Sequence, residues 1–251
     1  MPSLSEIAPL AWVLLALAAI AVGLSKTAIP GIATFFIAIF AAILPAKAST
    51  GALLLLLIVG DVFAIVTYRR HADWPTLVRL LPSVVAGLGL GALFLALADD
   101  TGVRRTIGAI LLAIIAFTLW RRMHEPEGPP SGRAAAVSRA VYGSLGGFTT
   151  MVANAGGPAI SMYFFAARFR VLAFLGTAAW FFAIINVAKV PIAVGLGLIT
   201  PATLVLDLVL APAVIIGALI GRRLAWNMKQ STFEWIVVVG TVVGSVYLIF
   251  F

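Results

Sequence analysis

The amino-acid sequence predicts an all-α polytopic membrane protein with two inverted repeats, and three observations lead to that fold class. The chain is 63% hydrophobic and 10% charged, with a mean hydropathy of +1.14, whereas a soluble domain carries about 25% charged residues. Its apolar runs are too long for barrel strands, which alternate over about ten residues. Two runs are interrupted at corresponding places in the two halves. Each repeat is therefore predicted to hold a broken-helix hairpin and three transmembrane helices, giving about eight hydrophobic elements and about ten helical segments.

The first repeat, residues 1–123, opens on a broken element whose apolar arms lie at 9–24 and 31–44. Between the arms runs the stretch Gly23-Leu24-Ser25-Lys26-Thr27-Ala28-Ile29-Pro30-Gly31. Proline removes a backbone donor and glycine makes other backbone conformations accessible, so a continuous helix is not expected there. Irregular backbone at membrane depth survives only inside protein or beside a cavity. Three apolar spans follow, at 49–68, 76–97 and 103–123.

A polar connector at 124–134 divides the chain, and its proline and glycine content marks it as a linker. The second repeat, residues 135–251, opens on a second broken element with arms at 135–150 and 158–167. Its interruption is the stretch Thr149-Thr150-Met151-Val152-Ala153-Asn154-Ala155-Gly156-Gly157-Pro158. Three further apolar spans lie at 172–190, 202–221 and 232–250. Two interrupted segments in corresponding halves are typical of a transporter's binding site.

Matches between the halves indicate an internal duplication. At a constant offset of 125 positions, Gly31, Gly51 and Asp61 precede Gly156, Gly176 and Asn186. A Leu-x-Pro-x-x-x-x-Gly-x-x-x-Gly pattern occurs twice, at Leu80, Pro82, Gly87 and Gly91 and at Leu210, Pro212, Gly217 and Gly221. The next-to-last helix of each half also starts with a capping residue just before a proline, in Asp73-Trp74-Pro75 and in Thr200-Pro201.

The placement of lysine and arginine predicts the orientation of the repeats, because cytoplasmic loops are enriched in these residues. If each broken element crossed the membrane once, the basic loops would divide about evenly between the two sides. If each is a hairpin that returns to its starting side, most basic loops share one side, including Arg69-Arg70 and 168–170. Only Lys47, Arg104 and Arg105 then remain opposite. The hairpin arrangement obeys the rule better, makes the repeats inverted and places both termini outside.

Lys26 is the sharpest candidate for a ligand-binding residue. A lysine within the bilayer costs several kcal/mol unless it is paired or hydrated, so it is a functional hypothesis by default. Arms of this length place the interruption near the membrane midplane by helix rise. Lys26 and free backbone N–H groups at the start of the second arm would then hold an anion. The alternative is that Lys26 snorkels to the interface.

Asn154 is the counterpart in the second interruption, because its amide offers donors and an acceptor and the adjacent glycines let backbone approach a ligand. The alternative is a plain helix break with a capping asparagine. Neighbouring hydroxyls either add to the site or bond back to their own helix. The predicted substrate-binding residues are Lys26, Ser25, Thr27, Gly31, Thr149, Asn154, Gly156, Gly157 and Asn186.

Two further charged residues within apolar spans, Asp61 and Lys189, are predicted either to couple transport to an ion or to pair with another charge. Asp61 is interpreted either as a proton carrier or as an ion-pair partner of Lys26 or Lys189, and the sequence leaves both open. Lys189 shares a helix face with Asn186, three positions away, with snorkelling near the helix end as its alternative. Asp207 is interpreted as a carboxylate that favours a helix N-terminus.

Several classes of function are not supported by the sequence. The chain has no cysteine, which excludes disulfides, thiol catalysis and thiolate metal sites. His71 and His124 lack partners at metal-ligand spacing, so neither a metal nor another cofactor is predicted. No nucleophile–base pair or phosphate-binding loop occurs, so the chain is predicted not to be an enzyme. The net charge is +8. The basic residues lie in short loops between spans, which is typical of topology signals rather than of nucleic-acid binding.

Specific motifs run through both halves. In the first half they are Gly23-Leu24-Ser25-Lys26-Thr27-x-x-Pro30-Gly31, Asp61-Val62-Phe63-Ala64 and Tyr68-Arg69-Arg70-His71-Ala72-Asp73-Trp74. In the second half they are Gly146-Gly147-Phe148-Thr149-Thr150-Met151-x-Ala153-Asn154-Ala155-Gly156-Gly157-Pro158, Gly176-Thr177-x-Ala179-Trp180-Phe181-Phe182, Asn186-x-x-Lys189-Val190-Pro191 and Gly195-Leu196-Gly197-Leu198-Ile199-Thr200-Pro201. Together they resemble the TauE/SafE sulfite exporter family, also called TSUP, over essentially the whole chain.

The resemblance implies a multi-pass secondary carrier of the bacterial inner membrane for small sulfur-containing anions such as sulfite or sulfonates. Export by alternating access is expected, while proton coupling and a homodimer are left open. The expected partners are the anion and the lipid bilayer, with no nucleic acid and no cofactor. The alternatives are an anion channel and a carrier of a non-sulfur small organic acid.

Overall fold

The computed structural model describes residues 7–28, 33–44, 46–97, 132–195 and 197–226, with a few isolated positions between 109 and 120 and between 228 and 239. The predicted spans 103–123 and 232–250 therefore lie outside the described residues apart from those positions. Gly31 and most of the predicted linker also lie outside them.

The described ranges are helical throughout, as the composition predicts. In the first half the helices are α1 (Pro9–Thr27), α2 (Ala33–Ile43), α3 (Ala46–Tyr68), a short 3₁₀ turn (Arg69–His71) and α4 (Trp74–Leu97). In the second half they are α5 (Gly132–Ala153), α6 (Gly157–Ala166), α7 (Val171–Gly195) and α8 (Pro201–Trp226). Within the described ranges, five helices are long and apolar enough to cross a membrane, namely α1, α3, α4, α7 and α8. The polytopic, all-helical prediction is thereby confirmed.

Several helices run clearly past their predicted ends, and α8 is one of them, since it continues from residue 221 to Trp226. α1 continues through Lys26 to Thr27 instead of ending at residue 24, and the Ala28 N–H closes its last turn on the Leu24 carbonyl at 2.8 Å. α7 passes Pro191 and ends at Gly195 instead of at residue 190. An interior proline is tolerated in a membrane helix because neighbouring groups can satisfy the carbonyl that it leaves free.

Side-chain caps start α4 and α8 where the sequence predicts them. Asp73 lies one residue before α4, and its Oδ1 accepts a hydrogen bond from the Thr76 N–H at 3.0 Å. Thr200 lies one residue before α8, and its Oγ1 accepts a hydrogen bond from the Thr203 N–H at 3.2 Å. Each oxygen accepts one of the amide N–H groups that have no partner within the first turn of a helix.

α3 and α7 pack against each other in opposite directions. The C-terminal end of α3 at Tyr68 lies beside Gly176, near the start of α7, and Gly51 near the start of α3 lies beside Leu198, just beyond the end of α7. Midway along, Asn186 on α7 hydrogen-bonds to Asp61 on α3. Since α7 begins at Val171, this packing also brings the Arg69–His71 turn and the 168–170 loop to the same end of the bundle.

Two other helix pairs, α1 with α8 and α4 with α5, approach closely through glycine. At Gly217 of α8, any β-carbon would overlap the Ile20 carbonyl of α1. At Gly87 of α4, any β-carbon would overlap the Ser144 carbonyl of α5. Small residues let membrane helices bring their backbones together, so the repeated glycine pattern marks these two interfaces.

The outer faces of the long helices are apolar. Leu10 on α1, Val66 on α3, Leu97 on α4 and Leu208 on α8 all remain largely exposed. In water such a surface would be unfavourable, whereas hydrocarbon tails solvate it well. Polar side chains instead turn inward, and they gather where the two helix breaks meet α3 and α7.

Candidate functional site

Lys26 lies one residue before the end of α1, and its side chain is buried. Its Nζ is 2.7 Å from Oδ1 of Asp61 on α3, with side-chain exposures of 8% and 1%. The ammonium also lies 4.6 Å from the centroid of the Phe182 ring on α7, a distance at which a cation is attracted to an aromatic face. Lys26 therefore does not snorkel to the interface but points into the protein.

Gly60 makes room for that lysine. A β-carbon at Gly60 would lie 2.8 Å from Cγ of Lys26, which is closer than side chains pack. The glycine just before Asp61 thus lets the aliphatic part of Lys26 lie flat against α3, and its Nζ then reaches the carboxylate one residue further on.

Asp61 is held from both halves of the chain. While Lys26 contacts Oδ1, the Nδ2 amide of Asn186 on α7 donates to Oδ2 at 2.7 Å, and this hydrogen bond is buried. A buried ion pair is tolerated only when its remaining lone pairs are also satisfied. Asn186 supplies that hydrogen bond, so the second oxygen is not left without a donor.

Lys189 lies one turn beyond Asn186 on α7 and contacts the second helix break. Its Nζ donates to the Thr150 carbonyl at 2.8 Å and to Oδ1 of Asn154 at 2.5 Å. The Thr150 carbonyl belongs to the last turn of α5 and also accepts from the Asn154 N–H at 3.1 Å, and the carbonyl end of a helix attracts a cation. Lys189 is 6% exposed and, like Lys26, points inward.

Asn154 adopts a backbone conformation that few residues favour. Its φ is +54°, in the left-handed region where asparagine is enriched. There the side chain accepts from Lys189 through Oδ1 and donates through Nδ2 to the Thr50 carbonyl of α3 at 3.2 Å. Asn154 therefore ends α5 and ties the break to both α3 and α7, while its role in binding a substrate stays a prediction.

A cavity of about 30 Å³ lies where these contacts converge. Such a volume accommodates roughly two water molecules or a small polar group. Its lining is contributed by the last turn of α1, by the break between α5 and α6, and by α3 and α7: Ser25, Lys26, Leu57, Asp61, Thr150, Asn154, Gly157, Ala178, Ala179, Phe182 and Asn186. Charged and amide groups and apolar side chains both take part in it.

The structure brings most of the predicted site residues together. Ser25, Lys26, Asp61, Asn154, Gly157 and Asn186 line the cavity, and Lys189 adjoins it through Asn154. Ser25 also bonds back to its own helix, with its hydroxyl donating to the Val22 carbonyl at 2.7 Å. Its hydroxyl proton is therefore already engaged.

Three predicted residues have packing roles instead. The Thr27 hydroxyl donates to the Ala218 carbonyl at 2.9 Å and so links α1 to α8. The Thr149 hydroxyl donates to the Leu145 carbonyl at 2.8 Å within α5. At Gly156, a β-carbon would lie 2.7 Å from Cβ of Thr150, so this glycine permits close packing within the hairpin. None of the three is among the described residues that line the cavity.

Phe182 and Leu57 also line the cavity, although neither was predicted as a site residue. Phe182 precedes Asn186 by four positions, and Leu57 precedes Asp61 by four positions. Because residues four apart share one helix face, each could have been found by stepping back one turn from the polar residue. Neither is polar, and an apolar residue in an apolar span gives no composition signal.

Asp207 and Trp180 lie elsewhere. Asp207 is 7% exposed, and its carboxylate has no hydrogen-bond partner among the described residues, so the helix-terminus interpretation does not account for its burial. Trp180 packs against Trp74, with ring centroids 5.0 Å apart. In the described part of the chain, no cluster of three histidine or acidic residues could hold a metal ion.

Comparison with known proteins supplies a family. No curated protein and no solved structure matches the chain. A family model described as sulfite exporter TauE/SafE matches residues 15–248, which span both helix breaks and the charged residues between them. The chain therefore belongs to the TauE/SafE sulfite exporter family, and this membership implies a multi-pass membrane transporter of sulfur-containing anions.

Proposed function

We propose that the protein is a secondary transporter that exports a small sulfur-containing anion, such as sulfite or a sulfonate, across the bacterial inner membrane. The proposal rests on one observation above all, the buried pair of Lys26 and Asp61 beside a cavity where the two helix breaks meet. A lysine buried at membrane depth is expensive, and such groups mark substrate pathways. The family supplies the class of anion.

In this mechanism the anion replaces the carboxylate of Asp61 at Lys26. Both are anionic and both accept hydrogen bonds, so the anion and Asp61 compete for the same ammonium. A proton on Asp61 removes that competition, because a neutral carboxyl binds an ammonium far more weakly. Asp61 is accordingly the proposed proton carrier, and Asn186 holds its second oxygen while the exchange takes place.

Alternating access requires two bodies that move relative to each other, and inverted repeats provide them. Three features support this proposed architecture. Asp61 and Asn186 are equivalent positions, and their helices α3 and α7 are antiparallel. Equivalent glycines, Gly87 and Gly217, make equivalent backbone contacts. The Arg69–His71 turn and the 168–170 loop share one end of the bundle, as the hairpin arrangement requires.

Transport by purified protein in liposomes tests the function directly. Sulfite, thiosulfate, taurine, sulfate and acetate would each be loaded inside the vesicles, and exchange against labelled substrate outside would be followed. We expect saturable counterflow with a sulfur anion. Flux without counterflow would instead indicate a channel, and counterflow with acetate alone would indicate a carrier of a non-sulfur acid.

The variant that tests the site is the double substitution Lys26→Gln with Asp61→Asn, which removes both charges and preserves side-chain volume. We expect it to fold and to lose transport. Arg69→Gln, at an exposed position outside the cavity, removes one charge and serves as the matched control. Transport by the double variant at the rate of the control would contradict the proposed site. The mass of the purified protein in detergent tests whether the chain forms a homodimer, which the sequence left open.

A further inference from the structure

The charges around the cavity do not cancel. Lys26 and Lys189 each carry one positive charge, and Asp61 carries one negative charge. The partners of Lys189 are a backbone carbonyl and a side-chain amide, which are both neutral. Among the described residues at the cavity, the formal charge is therefore +1.

Among the described residues that line the cavity, the charged ones are Lys26 and Asp61. α2 carries no charged residue, and α6 carries none. On α8, Val214 packs near Gly60, and the helix's charged residues are Asp207, Arg222 and Arg223. Each lies at least seven positions from Val214, about 10 Å along the helix. Lys26 from α1 contacts Asp61 directly, and Lys189 from α7 reaches the cavity through Asn154.

We propose that this imbalance makes the site select its cargo by charge. A singly charged anion binds while Asp61 is ionised, and a doubly charged anion binds only when Asp61 carries a proton. This inference rests on the proposed function and specifies the charge of the cargo. Its physical reason is that an uncompensated charge away from water costs several kcal/mol, so the occupied site is stable only when its total charge is zero.

The two lysines have different roles in this scheme. Lys26 binds the single anion in place of the Asp61 carboxylate, and Lys189 supplies the second positive charge, so that the two ammonium groups balance the carboxylate and the anion together. When a proton from the aqueous phase binds Asp61, Lys26 is released from its pair. The dianion then occupies both ammonium groups, and the proton leaves Asp61 when the dianion leaves on the other side. In either case the transported anion, together with any proton that moves with it, carries about one negative charge.

Two anions of fixed charge make the test sharp. Methanesulfonate is singly charged and thiosulfate is doubly charged from mildly acidic to mildly alkaline pH, so pH changes only the protein. Uptake of each anion by liposomes containing the full chain would be measured across that range. Over the pH range in which Asp61 stays mostly ionised, we expect thiosulfate uptake to rise about tenfold for each unit of acidification, because one proton binds per anion, and methanesulfonate uptake to stay constant.

Two substitutions are expected to change which anion is taken up and how that uptake depends on pH. Asp61→Asn leaves both ammonium groups unneutralised at every pH, so thiosulfate uptake should become independent of pH and methanesulfonate uptake should be lost. Lys189→Gln lowers the charge by one, so methanesulfonate uptake should acquire the proton dependence and thiosulfate uptake should be lost. Arg69→Gln again controls for the loss of an exposed charge. If Lys189→Gln fails to fold, Asp61→Asn by itself decides the matter.

The outcomes separate this inference from the proposed function. Uptake of both anions by the wild type with no difference in pH dependence would overturn charge selection and leave the transporter proposal standing. Asp61→Asn protein that still prefers methanesulfonate would also overturn it. A wild type that moves no sulfur anion at any pH would overturn the proposed function, and charge selection with it.

Discussion

Asp61 on α3 and Asn186 on α7 lie 125 positions apart in the chain, and their side chains hydrogen-bond to each other at 2.7 Å. The same carboxylate contacts Lys26 on α1 at 2.7 Å. Asp61 therefore joins three helices, and a movement of α7 relative to α1 and α3 would change the contacts of this carboxylate.

The Lys26–Asp61 pair should show strong coupling in stability. Removing one partner leaves a buried charge uncompensated, which costs about 3–5 kcal/mol, whereas removing both can be neutral. We expect Lys26→Met and Asp61→Leu to lower thermal stability markedly in detergent and the double variant to recover most of the loss. Additive losses in this double-mutant cycle would contradict a direct pair. Transport should be absent in the two variants that lack Lys26.

Asn186→Asp should make stability depend on pH. The new carboxylate would face Asp61, and ionising both would cost more in the folded protein than in the unfolded chain. The folded state of the variant should therefore lose stability relative to wild type as pH rises and regain it as pH falls. Asn186→Leu, which adds no charge and leaves Asp61 Oδ2 without its donor, should be less stable by about 1–3 kcal/mol. Equal pH profiles for the two variants would refute the contact.

Asn154 allows its backbone and side-chain roles to be separated. Asn154→Gly keeps the left-handed conformation accessible and removes only the amide, whereas Asn154→Ala also strains the backbone at φ +54°. We expect the alanine variant to be less stable than the glycine variant by about 1 kcal/mol, measured by unfolding in detergent. Both should lose transport, because both lack the acceptor of Lys189. A fully active glycine variant would show that the amide is dispensable.

Gly87 and Gly89 on α4 offer a matched test of the close helix packing. A β-carbon at Gly87 would overlap the Ser144 carbonyl of α5, whereas at Gly89 it would meet nothing within 4 Å. Gly87→Ala should therefore destabilise the protein by at least about 1–3 kcal/mol through overpacking. Gly89→Ala should stabilise it by up to about 1 kcal/mol through helix propensity. Similar melting temperatures for the two variants would argue against the described α4–α5 packing.

Local signals in the sequence anticipated much of the fold. The caps at Asp73 and Thr200 are hydrogen bonds between neighbours in the chain, so residue type and spacing sufficed to predict them. The ends of the helices were harder to predict from local sequence. Pro191 suggested an end that α7 does not have, because a helix among other helices can satisfy the carbonyl that proline frees.

The sequence by itself determined that the chain is a helical membrane protein of the TauE/SafE family, since length, apolar content and motif order depend on no partner residue. It also nominated Lys26, Asp61 and Asn154. Only the tertiary structure decided which residues contact each other. Asp61 contacts Lys26 and Asn186, Lys189 contacts Asn154, and Thr27 contacts α8 rather than the cavity. Such pairings join residues distant in sequence, and the packing of whole helices brings them within hydrogen-bond distance.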